Sequence, residues 1–212
     1  DARYDGVQVS ADAQDTAQND VFFNVSGKNM YLTGNNGPGL YQYNLSTPWD
    51  VSTAVFSQSF AVSAQSGNRT DGISFRPNGL KMFLTDNSGV IDEYTLAVAW
   101  NVSSATFLTT TSLSANTSVA RSAKFRTNGL NMFVIDDGGA AVDQYALASA
   151  WTVSGATFTQ SFGVTAQTVG PEGLFIRDDG LKMFVNSLGY VFEYTLASAW
   201  DVNSSTFIQS FP

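Results

Sequence analysis

The chain has 212 residues, a net charge of −8, and neither cysteine nor histidine. Without thiols it has no disulfide framework, and without imidazoles it lacks the commonest general base, the commonest transition-metal ligand and any Ser-His-Asp arrangement. Its acidic balance argues against nucleic acid and anionic lipid as partners. Hydrophobic residues make up 43%, enough for a sizeable core, while charged residues make up only 13%. Ser, Thr, Asn and Gln fill that gap, as on the surface of an extracellular β protein. No apolar run reaches bilayer length. A chain beginning at Asp1 points either to a removed signal peptide, with export the favoured expectation, or to a piece of something longer.

In chain order, residues 1–11 come first, and within them YDGVQVSA (4–11) aligns with the fourth strand of the repeat that follows. Trp occurs only at Trp49, Trp100, Trp151 and Trp200, and Met only at Met30, Met82, Met132 and Met183. This is a repeat of about 51 residues, with units over 12–62, 63–113, 114–164 and 165–211. Tyr43, Tyr94, Tyr145 and Tyr194 keep the same beat, as do Phe56, Phe107, Phe158 and Phe207. The second unit shows the pattern: strands over 72–76, 80–85, 90–96 and 106–113. Turns fall at Pro77-Asn78-Gly79 and Asp86–Gly89, because Asn-Gly supplies positive φ. The other units carry matching turn signals at Ser26-Gly27, Asn128-Gly129 and Asp178–Gly180, and no helical period appears.

One such meander leaves its large side chains wet, so the units must stack. The fold class is all-β, four tandem four-stranded antiparallel repeats, read as a four-bladed β-propeller. The alternatives are an open stack or half of a larger propeller.

The runs FRPNGLKMFL (75–84), FRTNGLNMFV (125–134) and IRDDGLKMFV (176–185) resemble the Pro-Asp-Gly-x-x-Met-Tyr-Val segments of secreted bacterial and phage β-propeller repeats. The runs YNLSTPWDVSTAVF (43–56), YTLAVAWNVSSATF (94–107), YALASAWTVSGATF (145–158) and YTLASAWDVNSSTF (194–207) are similar to the partner half of that repeat. The resemblance covers nearly the whole chain. It implies the fold and an extracellular or cell- or virion-surface location, and it is silent on activity.

A closed propeller with strands at both 1–11 and 206–211 has one strand to spare, and a spare edge can pair with another subunit. From this the sequence suggests a non-enzymatic structural or adhesive module that self-associates through that strand, such as a subunit of a surface filament or phage appendage. A glycan-binding, lectin-like propeller is the alternative, with surface glycans as partners and the four Trp as stacking platforms. An exported hydrolase is the third reading, set back by the absence of His, Cys and recurring carboxylate pairs. No catalytic residue is assigned: Asp92-Glu93 and Glu193 are matched by Gln42 and Gln144 in the other units, which cannot do acid–base work.

Calcium is conceivable at Asp86-Asn87-Ser88 with Asp92 and at Asp136-Asp137 with Asp143. The spacing fits no EF-hand loop and two units lack it, so no metal or other cofactor is assigned. The candidate ligand site lies where the units disagree, just ahead of each first strand: Asn19, Asp71, Arg121 and Glu172. These should meet near the propeller axis, one cation between two anions.

Overall fold

The computed structural model describes residues 6, 8–36, 39–66 and 69–212. They form four antiparallel four-stranded sheets, each from one continuous run of chain. Blade 1 holds β1 (Gln18–Phe23), β2 (Asn29–Gly34), β3 (Gly39–Leu45) and β4 (Ala54–Ala61). Blade 2 holds β5 (Gly72–Phe75), β6 (Lys81–Thr85), β7 (Val90–Leu96) and β8 (Ala105–Ser112). Blade 3 holds β9 (Ala120–Phe125), β10 (Asn131–Asp136), β11 (Ala141–Ala146) and β12 (Thr157–Gly163). Blade 4 holds β13 (Gly173–Ile176), β14 (Lys182–Ser187), β15 (Tyr190–Leu196) and β16 (Ser205–Phe211). The order within every sheet is sequential, and the first strands pack in succession, β1 on β5, β5 on β9 and β9 on β13. This is a four-bladed β-propeller, as the repeat implied.

Each blade bends at the same place. The ladder between its third and fourth strands slips just before Tyr43, Tyr94, Tyr145 and Tyr194. A bulge there adds twist to the outer half of the sheet. The link to the fourth strand carries a short 3-10 turn in blades 1, 2 and 4, capped by Asp50, Asn101 and Asp201. Hydrophobic periodicity has no sensitivity to elements of this length.

The tryptophans explain the Gly turns. Trp49, Trp100, Trp151 and Trp200 have φ of 67°, 66°, 59° and 65°, a region that bulky residues normally avoid. Each donates its backbone N–H to a turn glycine, for example Trp100 to the Gly79 carbonyl at 3.0 Å. Each indole then lies on that glycine: a Cβ added to Gly27, Gly79, Gly129 or Gly180 would come within 2.2–2.5 Å of the ring. Gly79→Ala is therefore expected to destabilise by about 1–3 kcal/mol, seen as a lower urea midpoint at unchanged slope.

Three of the seams between blades are packed and latched. Gln42 Oε1 accepts from the Val102 N–H of blade 2 at 3.2 Å, Glu93 Oε2 from Val153 of blade 3 at 3.0 Å, and Gln144 Oε1 from Val202 of blade 4 at 3.3 Å. The fully buried Glu93 is also ion-paired to Lys81. Apolar clusters bridge the same three seams: Tyr31 with Phe75, Phe83 with Phe125, and Phe133 with Trp200. The fourth seam, from blade 4 back to blade 1, differs. Glu193 turns to Lys182 and Gln209 of its own blade. Trp49 is 59% exposed where Trp151 and Trp200 are 7%. Among the described residues, no aromatic pair crosses this seam.

The additional strand expected over 1–11 is not found where the chain is described. Residues 8–11 carry no strand, and residues 1–5 and 7 lie outside the described residues. Val9 and Ala11 instead cover Met30, Tyr41 and Tyr43 of blade 1. Val62, Leu113 and Val164 do the same for the next three blades. The alignment with a fourth strand reflected this covering role, in which side chains rather than backbone ladders make the contact.

Candidate active site

Each blade delivers one side chain to the mouth of the axis from the start of its first strand (Asn19, Arg121) or from the residue just before it (Asp71, Glu172). Asn19, Asp71, Arg121 and Glu172 all line one cavity of about 280 Å³, joined by Gln18 and Arg69. The four positions chosen from the sequence are thus brought together, one from each blade. Arg69 was missed. It sits two residues before Asp71.

The charges pair differently from the expectation. The Asp71 carboxylate, 2% exposed, is held by two guanidinium groups: Arg69 Nη2 at 2.9 Å and Arg121 Nη1 at 3.2 Å. Arg121 turns its Nε and Nη2 to Asp137 Oδ2 at 2.9 and 2.7 Å, not to Glu172. Burial works against the Arg121 charge, but the hydrogen bonds and charges of Asp137 and Asp71 outweigh it and raise its pKa. These contacts use only part of its five N–H donors. Asn19 is tied down by bonds to Asn35 and to the Thr70 carbonyl. Glu172 is exposed, and its carboxylate has no hydrogen bond or ion pair among the described residues.

A second cavity of about 320 Å³ adjoins the first along the open fourth seam, sharing Gln18, Asn19 and Glu172 with it. It adds Asp20 on the blade 1 side and Asn186 on the blade 4 side. Asp20 is half-buried, and its carboxylate accepts from Val21 N–H at 2.8 Å and from Ile73 N–H at 3.1 Å. Burial nevertheless pushes its pKa above the ordinary carboxylate value, against the charge of Lys124 and those two amides. Sequence reasoning did not single out Asp20, although it adjoins Asn19; its raised pKa comes from burial, as does that of Asp143.

The site therefore holds an uncommitted carboxylate, Glu172, which shares one cavity with a guanidinium pair and an adjoining one with Asp20, a carboxyl whose pKa is raised by burial. Perturbed carboxyls beside an uncommitted one in a cleft mark a candidate for acid–base chemistry.

The aspartates considered as calcium ligands have structural partners. Asp86 Oδ1 takes Ser88 N–H at 2.9 Å, and Asp136 Oδ1 takes Ser118 and Val119 N–H at 3.0 Å. Asp143 accepts from Thr117, and Asp92 from Thr110. Among the described residues no group of three or more His, Cys, Asp or Glu is placed to hold a metal ion. No helix among them is long and apolar enough to cross a membrane.

No family model and no curated protein sequence matches the chain. Solved structures do match in fold. A Pseudomonas aeruginosa periplasmic gluconolactonase is similar at 13% identity and a TM-score of 0.54, over 92% of this chain and 53% of its own. A Bacteroides fragilis protein assigned as a 6-phosphogluconolactonase is similar at 14% identity and a TM-score of 0.60, over 91% of this chain and 53% of its own. A Lactobacillus plantarum protein is similar at 15% identity and a TM-score of 0.62, over 91% of this chain and 54% of its own. The chain thus spans about half the length of the structures it resembles. Lactone hydrolases among its fold neighbours overturn the expectation of a non-enzymatic structural or adhesive module, with its filament or appendage role, and favour the hydrolase alternative instead. The physical reason for the error is that recurrence was demanded of catalytic groups, whereas this mouth takes one different side chain from each blade. At these identities the likeness shows the β-propeller fold.

Proposed function

We propose that the chain is an exported hydrolase that opens the cyclic ester of a sugar acid at the Arg121–Glu172 mouth. The observation that carries this reading is the unpaired Glu172 carboxylate sharing one cavity with Arg69 and Arg121. In the proposed reaction Glu172 takes a proton from water, whose oxygen bonds to the lactone carbonyl carbon. The carbonyl oxygen gains the electron pair and faces the spare N–H donors of Arg121 and Arg69, which stabilise that developing charge. The intermediate collapses by breaking the bond from the carbonyl carbon to the ring oxygen. That oxygen leaves as a hydroxyl, taking a proton from Asp20. The product is an open hydroxy acid. The two arginines favour a substrate bearing anionic or hydroxyl groups. Export is supported by the absence of thiols, by the sparse charge and by the periplasmic neighbour.

The test is to follow acid release from glucono-δ-lactone and from its 6-phosphate with the purified chain, after subtracting spontaneous opening. No acceleration on either substrate would reject the reading. The pH profile carries a second expectation. Asp20 donates only while protonated, so the rate should fall as pH rises through its elevated pKa. Asp20→Asn should lower the rate and remove that alkaline limb.

A further inference from the structure

The opposite end of the axis holds a different cavity, of about 450 Å³, with no residue in common with the arginine-lined mouth. Its volume falls within the roughly 300–1,000 Å³ usual for small-molecule pockets. The first strands end there, so Phe23, Phe75, Phe125 and Ile176 form one ring of its wall. Trp49, Trp151 and Phe175 complete it. Trp49 and Phe175 leave 59% and 57% of their surface exposed, the largest such values for aromatic side chains among the described residues.

One cation stands in this apolar wall. Lys124 is half-buried and lines the cavity, yet it has no ion pair or hydrogen bond among the described residues. Removing an ammonium group from water without a partner is costly. Asp20 acts on it only through space. The blade architecture does not require a lysine: Phe22, Ser74 and Phe175 occupy the same register position, opposite Tyr31, Phe83 and Phe184, as Lys124 does opposite Phe133. Three blades thus fill this position without charge. Asp178, also on the rim, disfavours a second negative charge on any ligand, as does the chain's net charge of −8.

We propose that this lower mouth is a second binding site, for an aromatic monocarboxylate, whose carboxylate pairs with Lys124 and whose ring lies against Trp49, Trp151 and Phe175. Apolar burial supplies the affinity, and the single ammonium supplies the selection for an anion. The site stands apart from the lactone reading in its reacting groups, none of which lines this cavity, although the Lys124 charge reaches Asp20 through space.

The experiment is calorimetric titration of the whole chain, at low salt, with 2-naphthoate and with neutral 2-naphthylmethanol. Naphthoate should bind about tenfold more tightly than the alcohol, which corresponds to one charge-assisted contact of roughly 1.4 kcal/mol. Lys124→Met should reduce naphthoate to the level of the alcohol and leave the alcohol unchanged; Lys124→Gln serves as a second variant with the same expectation. Trp49→Ala should weaken both ligands. Failure of either ligand to bind the native chain, equal affinity for the two, or naphthoate binding indifferent to both Lys124 variants would overturn the proposal.

Discussion

Replacing Glu172 by Gln is expected to cut kcat for lactone opening by about 10²–10⁴-fold, the usual worth of a positioned general base. The substitution keeps the shape of the side chain and removes only its basicity. Glu172 is exposed and its carboxylate is uncommitted, so stability should stay within about 0.5 kcal/mol of the native chain. Substrate contacts with Arg121 and Arg69 survive, so KM should change little. Initial rates with a pH indicator, set beside a thermal melt, separate the two effects. A rate unchanged by E172Q would remove Glu172 from the chemistry. A rate lost together with the melting transition would show instead that Glu172 holds the fourth seam.

Trp151→Ala is expected to destabilise the fold by about 3–5 kcal/mol, the range for truncating a buried aromatic. For a chain of this length that is a fall in Tm of roughly 10 °C. Trp151 is 7% exposed, packs on Phe125 at a centroid distance of 5.3 Å and covers Gly129. Its removal opens a void between blades 2 and 3 and uncovers a turn shaped to receive the indole. Relief of the strained backbone offsets only part of this. Trp49→Ala is the control. The same residue in the same turn is 59% exposed there, so less apolar surface is lost and the cost should be well below half. Equal losses in the two variants would mean that the indoles matter through their own turns, not through the seams.

The repeat and its strands were legible because every large side chain is needed once per blade. Met30, Met82, Met132 and Met183 are all buried, so their spacing reports packing directly. The turn glycines were legible for the same reason, although the demand that the indole places on them was not. Gln42, Glu93 and Gln144 looked like a catalytic set broken by amides. They are latches, for which either a carboxylate or an amide oxygen suffices, because each accepts one backbone N–H. The upper mouth was found by the opposite logic, from positions where the units differ. That logic reached Asn19, Asp71, Arg121 and Glu172 but not Asp20 or Lys124. Those two acquire their character from burial and from neighbours distant in sequence, which no local pattern encodes.

Among the described residues the blades exchange no strand: each begins and ends within its own stretch of chain, so the ring is joined like a necklace without a clasp. Three joints are fastened by side chains reaching across, and the fourth only brings its two lips side by side. Thermal breathing should concentrate there. Asp20 and Glu172 stand on opposite lips, so the same motion that admits a bulky guest also sets the separation of the proposed proton donor and acceptor.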